Sequence, residues 1–351
     1  MAETNNPMER DTSGAPAVSC TTLTIAGLKV DIYGLAELPT GASKVSCLWL
    51  FHPRLRAKED MVSIANQILS AYHEQRSTTR GLIAVAFDLR NHGSRLVDEL
   101  GNLSWREGNK THAQDMFGTI TGAVTDTTHL LDLLEGYLFG AGDGPGAMDG
   151  SGIRNRHIDN NLVLGVSLGG HSAWQLLFAD PRVTAGVIVI GCPDYKYLMK
   201  DRARLSKLQT YVHSDAGSSF IGSKDFPEAL IDACKKYDPK GILFGPGDIP
   251  SVLADDEQAT LRTLLDSKVA GKRFQVLSGG ADKLVPYRAS ELFVKFFHTA
   301  ANGWYKDGGV YVENNVYEGV GHQFNAEMKK DAVKFVLESV ALANKTTSSK
   351  I

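Results

Sequence analysis

Six short runs of nearly continuous apolar residues punctuate the chain: Cys47–Phe51, Leu82–Phe87, Leu162–Leu164, Val187–Ile190, Phe274–Leu277 and Val310–Tyr317. Strands of a parallel sheet covered on both faces have this character, because neither side of the pleat meets water. Ahead of them Leu23, Ile25, Leu28, Val30 and Ile32 alternate around Gly27, a period of two that predicts an opening hairpin of two antiparallel edge strands between Cys20 and Pro39. Between the runs, Met61, Ile64, Ala65, Ile68 and Leu69, and later Val124, Thr128, Leu131 and Leu134, fall at helical spacing. Strands alternating with helices predict an α/β chain with a mostly parallel, doubly wound eight-stranded sheet and helices on both faces.

Breaks in this rhythm divide the chain. Residues 1–18 are rich in Asn, Pro, Gly, Glu and Ser without apolar periodicity, and are predicted to be a disordered tail whose removal leaves function intact. Residues 19–194 form the first part of the core and 272–351 the second. Residues 195–271 carry charged, helix-like pieces and are predicted to form a small helical lid over the site. The Gly- and Asp-rich stretch Gly140–Asn160 reads as a mobile surface insertion before a strand.

Composition narrows the partners. With 37 basic and 40 acidic side chains the net charge is −3, so no global field favours nucleic acid or an anionic membrane. No window approaches the roughly 18 apolar residues of a membrane span, and a basic-then-apolar leader pattern is missing, which predicts a cytoplasmic protein. Cys20, Cys47, Cys192 and Cys234 are scattered, without paired spacing, so free thiols and neither metal nor cofactor are expected. A small neutral or mixed molecule is the expected partner. The oligomeric state is open, and a homodimer is compatible.

The chemistry concentrates at Gly165-Val-Ser167-Leu-Gly169, directly after the run Leu162–Leu164 and before a helical segment with Trp174, Leu177 and Phe178 on one spacing. A GxSxG turn from strand to helix lifts its serine clear of the sheet, and the flanking glycines remove side chains that would clash. The helix N-terminus then aims the Leu168 amide at the oxyanion of a tetrahedral intermediate. The second donor is expected from Trp49-Leu-Phe51-His52-Pro53-Arg54-Leu55; Pro53 has no N–H, which leaves Arg54 or Leu55, with Arg54 preferred.

A serine hydroxyl needs a histidine to take its proton and a carboxylate to fix the histidine's tautomer. After the run Phe274–Leu277 comes Ser278-Gly-Gly-Ala-Asp282, and after the last strand comes Gly321-His322, so Asp282 and His322 follow the serine in the order such elbows use. Asp194, in Gly191-Cys-Pro-Asp194-Tyr195, is the competing acid; Glu318 is close in sequence to His322 but is not aimed at it. His52, His92 and His171 are expected to line or support the pocket. His52, Trp174, Tyr195 and Phe324 are the candidate substrate walls. Phe87–Gly93 reads as bracing between loops at the catalytic edge.

On the elbow, Gly-Ala-Asp282 and Gly-His322, the chain resembles the α/β-hydrolase superfamily from about Cys20 to its C-terminal helix. The stretches His52-Pro-Arg-Leu-Arg56 and Gly191-Cys-Pro-Asp-Tyr195 further resemble an uncharacterised branch common in fungi. The resemblance implies metal-free hydrolysis of an ester, thioester, lactone or amide by Ser167, His322 and Asp282. The same triad also serves acyltransferases, lyases and cyclases, and some relatives are non-catalytic ligand receptors, although those commonly lose a triad member. Many relatives carry His-Gly where this chain carries His52-Pro53, which removes one amide from the oxyanion loop.

Overall fold

The computed structural model describes residues 6–8, 14–75, 79–140 and 156–348. Most of the predicted tail and residues 141–155 of the Gly- and Asp-rich insertion lie outside the described residues; the last four residues assigned to that insertion, 157–160, instead begin a strand.

Eight strands form one sheet in the order β1-β2-β4-β3-β5-β6-β7-β8. They are β1 (Cys20–Ile25), β2 (Leu28–Tyr33), β3 (Lys44–Phe51), β4 (Arg80–Phe87), β5 (His157–Val166), β6 (Val183–Val189), β7 (Arg273–Gly279) and β8 (Tyr311–Tyr317). From β4 to β8 every pairing is parallel. The opening antiparallel hairpin forms as predicted, but of its two strands only β1 is an edge: β2 also pairs antiparallel with β4 and lies inside the sheet. Its Val30 and Ile32 are fully buried.

Helices cover both faces. On one side α1 (Val62–His73) packs against α9 (Ala326–Ser348), and Ile64, Ile68, Leu164, Val187 and Phe335 share a core. On the other side α2 (His112–Phe139), α3 (Leu168–Ala179) and α8 (Arg288–Asn302) bury Ile120, Trp174, Phe293 and Phe297 against Trp49, Val163 and Phe274. A mostly parallel sheet crossed in this order, with helices on both faces, is the α/β-hydrolase fold.

Residues 195–271 hold four helices: α4 (Tyr195–Leu205), α5 (Glu228–Tyr237), α6 (Pro239–Phe244) and α7 (Asp255–Lys268). Helices α5, α6 and α7 all touch α3, and Leu198, Leu230, Leu243, Leu261 and Leu265 join the same core as Trp174 before the chain enters β7. Among the described residues no helix is long and apolar enough to cross a membrane. All four cysteines are unpaired thiols.

Bracing at the catalytic edge follows the sequence expectation. Asp88, just past β4, accepts hydrogen bonds from the Lys58 amide and from the amide and hydroxyl of Ser94. Burial alone pushes its carboxyl up, but these donors outweigh burial and hold it below the ordinary carboxylate value. Gly93 sits at φ 51°, and a Cβ there would stand 2.2 Å from the Asp88 carboxylate.

Candidate active site

Strand β5 ends at Val166 and α3 begins at Leu168, leaving Ser167 alone to make the turn at φ 55°, ψ −109°. This left-handed conformation is strained for a residue with a Cβ. Two contacts hold it: the Ser167 amide donates to Val189 O at 2.9 Å, and the flanking glycines let backbones nearly touch. A Cβ on Gly165 would lie 2.0 Å from Gly169 O, and one on Gly169 would lie 2.2 Å from Phe51 O. The second close approach presses the first turn of α3 against the end of β3, where the loop His52–Leu55 begins.

The loops after β7 and β8 are laced together. Gly280 N donates to Tyr317 O at 2.8 Å and Ala281 N to Val320 O at 2.9 Å. This lacing brings Asp282 to His322. His322 Nδ1 lies 2.8 Å from Asp282 Oδ2, and His322 Nε2 lies 2.9 Å from Ser167 Oγ. The other carboxylate oxygen, Oδ1, accepts the amides of Leu284 at 2.8 Å and Val285 at 3.0 Å. A carboxylate with both oxygens accepting places the imidazole proton on Nδ1 and leaves the Nε2 lone pair for the serine hydroxyl. The Asp282 side chain is fully buried, whereas His322 keeps 15% of its side chain exposed, so the acid is sealed from the cleft that Ser167 and His322 share.

The competing acid is elsewhere. Asp194 caps α4 by accepting the Tyr197 amide at 2.9 Å.

Among the described residues neither Leu168 nor Arg54 gives its backbone N–H to another protein group. The preceding residue orients the Arg54 peptide. His52 is fully buried; its Nε2 accepts from the Leu89 amide at 3.0 Å and its Nδ1 lies 2.8 Å from Pro53 O. Burial pushes the ring's pKa down to about 4, so it stands neutral with Nδ1 as donor. His171 is likewise neutral, pushed down to about 3 by burial, and accepts the Cys192 amide on Nδ1, which ties α3 to the loop after β6. His92 lies against His52, ring centres 5.4 Å apart, with its Nδ1 2.9 Å from Arg90 O.

The cleft holding Ser167 and His322 is walled by Pro7, Pro53, Arg54, Leu55, Arg56 and Leu284. None of the four residues expected as walls is among them. Trp174 is fully buried, stacked on Phe274 at 5.5 Å, because the helical face that carries it turns to the sheet. Tyr195 is buried against Phe117 and donates its hydroxyl to Ala113 O at 2.6 Å. Phe324 is fully buried in the α1–α9 core. His52 braces the loop from beneath. Pro7 lay in the predicted tail, yet Asn6–Met8 is docked: Phe324 N donates to Pro7 O at 2.7 Å, Met8 bridges Phe324 in parallel, and Met8 is buried. No periodicity marks these loop residues; only their position beside the site identifies them.

Among the described residues no group of three or more His, Cys, Asp or Glu side chains stands ready to hold a metal ion.

No family model and no curated protein matches the chain. Among solved structures, TT1662 of Thermus thermophilus is similar over 92% of this chain and 98% of that one, with a TM-score of 0.52 at 18% identity. An esterase of Pyrobaculum calidifontis is similar more loosely, at TM-score 0.47 and 15% identity over 97% of this chain and 87% of that one. So is dipeptidyl peptidase 4 of Porphyromonas gingivalis, at TM-score 0.47 and 12% identity over 92% of this chain and 35% of that one. The first likeness accords with the α/β-hydrolase fold already defined by strand order.

Proposed function

We propose that the protein is a serine hydrolase that cleaves a carboxylic ester, thioester or lactone of a small organic substrate through an acyl-enzyme on Ser167. One observation carries the reading: Ser167, His322 and Asp282 form a continuous hydrogen-bonded relay of 2.9 and 2.8 Å at a strained strand-to-helix turn. Strain of this kind persists where surrounding structure over-determines it, and here it holds a hydroxyl against the His322 imidazole.

In the first half-reaction Ser167 Oγ attacks the carbonyl carbon while its proton passes to His322 Nε2. Asp282 holds the imidazolium that results, and the amides of Leu168 and Arg54 take the developing oxyanion. Collapse of the tetrahedral intermediate expels the alcohol or thiol, which takes the proton from His322. Water repeats the sequence on the acyl-enzyme, releasing the acid and returning the proton to Ser167. An acceptor alcohol in place of water would make the same intermediate an acyltransferase, and product analysis with competing nucleophiles separates the two. Residues 195–271 take the role of a helical lid over this cleft. The fungal-branch resemblance falls on the oxyanion loop and on the loop after β6, the two stretches that His52 and His171 brace.

The test is labelling with a fluorophosphonate, which reacts with serines activated by an assembled site, followed by peptide mapping. Modification at Ser167 that disappears in His322→Ala is the expected result. Folded wild-type protein that stays unlabelled would overturn the reading.

A further inference from the structure

The charged residues in the wall of the Ser167 cleft are Arg54 and Arg56, and among the described residues no carboxylate lines it. Behind Arg54 stands Arg202 of α4: its Nη2 reaches the carbonyl of Leu284, another wall residue, at 3.4 Å, and its Nη1 points at Met116 Sδ at 3.0 Å. Its Nε is shut off from solvent with no acceptor. Arg54 donates from Nη1 to Asn102 O at 2.5 Å. Among the described residues neither guanidinium forms an ion pair.

The nearby acids are engaged elsewhere. Glu107 attracts Arg54 but gives one carboxylate oxygen to the amide and hydroxyl of Ser104. Asp282 attracts Arg202 but is committed to His322, Leu284 and Val285. Burial pushes Arg202 down to about 10, and the charge of Arg54 adds to it. Other buried cations are either paired, as Lys58 with Asp31 and Arg80 with Asp159, or held by carbonyls, as Lys272 by Leu177 and Asp180 and Lys240 by Gly245 and Gly247. Buried charges are ordinarily paired, and two like charges sharing one desolvated corner favour an anion between them.

We propose that Arg54, with Arg202 behind it, forms a subsite for a carboxylate, so that the ester cleaved at Ser167 is one that carries a free carboxylate a few bonds from the scissile carbonyl. The ester part rests on the serine-hydrolase reading; the anion part rests on the arginines. A planar guanidinium fork suits a carboxylate, and the charge-assisted bonds orient the substrate while its carbonyl sits over Ser167. A half-ester of a short dicarboxylic acid places the carboxylate on the acyl side. An acylated hydroxy acid places it on the alcohol side.

The experiment measures binding without turnover. Ser167→Ala protein is titrated calorimetrically with monoethyl glutarate and with neutral diethyl glutarate, and then with O-acetylglycolate and its ethyl ester. In at least one pair the anion should bind more tightly by about tenfold or more, the size expected of a hydrogen bond to a charged group. Adding Arg54→Gln or Arg202→Gln should remove most of that preference, and Arg202→Lys should restore part of it. The pair that shows the preference identifies which side carries the carboxylate. Equal affinities in both pairs, no binding of either anion, or a preference that survives both glutamine substitutions would overturn the subsite. Fluorophosphonate labelling of the wild type keeps the two readings apart. Labelled Ser167 without anion preference removes the subsite alone, and anion preference without labelling removes the hydrolase reading alone.

Discussion

His52 and Leu89 are joined by a bond that only a neutral imidazole can accept, the Leu89 amide donating to Nε2 at 3.0 Å while Nδ1 faces Pro53 O at 2.8 Å. The carbonyl thus held belongs to the peptide whose N–H is that of Arg54. In a planar trans peptide the C=O and N–H point in opposite directions, so fixing one end aims the other. A ring expected to line or support the pocket does the second, by orienting the proposed oxyanion donor.

This arrangement makes stability depend on pH in a definite direction. The folded ring titrates at about 4, whereas an unfolded histidine titrates near about 6.5. Between those values the unfolded chain binds the extra proton, so the stabilisation is fully present above about pH 6.5 and is lost as pH falls toward 4. His112 and His171, each pushed by burial to about 3, act in the same direction. Urea unfolding from neutral pH down to about pH 5 should show falling stability, with a shallower fall in His52→Gln. Equal slopes in the two proteins would contradict the assignment.

Ser167→Gly should separate stability from activity. Glycine adopts φ 55° without penalty, so the variant is expected to be more stable by up to about 1 kcal/mol even though it loses the bond to His322. Ester hydrolysis should fall by at least about a thousandfold. Denaturant melts and initial rates check both; a destabilised variant would show that the elbow is not strained.

Gly169→Ala should act the opposite way. Its methyl group would stand 2.2 Å from Phe51 O, a backbone atom with no freedom to rotate aside. A loss of about 3 kcal/mol is expected, with weakened labelling of Ser167 as α3 is pushed off the end of β3. Wild-type stability and labelling together would argue against the tight elbow.

Asp282→Asn keeps an oxygen for the Leu284 and Val285 amides but turns an N–H₂ toward Nδ1, favouring the wrong imidazole tautomer. The turnover rate should drop by about 10⁴-fold while the unfolding midpoint barely moves. A small kinetic effect would mean that another group orients His322.

The strands were legible because burial on both faces leaves an almost uninterrupted apolar signature, as at Leu82–Phe87. The serine, acid and histidine were legible because each sits among glycines that the turns demand. Arg54 was placed in the site by elimination, since Pro53 has no N–H, but its side chain and the partner Arg202 left no trace in spacing. The aromatic residues misled for a physical reason: Trp174, Tyr195 and Phe324 are large and apolar, which suits a core as well as a pocket wall. The wall itself came from Pro7, Leu55 and Leu284, loop residues whose role depends on long-range packing.

The docking of Pro7 on Phe324 also bears on the order in which the chain is made. Pro7 leaves the ribosome early and Phe324 late, and the lacing of the β7 and β8 loops that carries His322 to Ser167 is late as well. A nascent chain therefore displays its elbow serine long before it holds the base or the closing contact at Pro7. A chain released before His322 is made carries an ordinary alcohol at Ser167, and reactivity arrives only 155 residues after the elbow serine is added, on the order of ten seconds later at usual elongation rates.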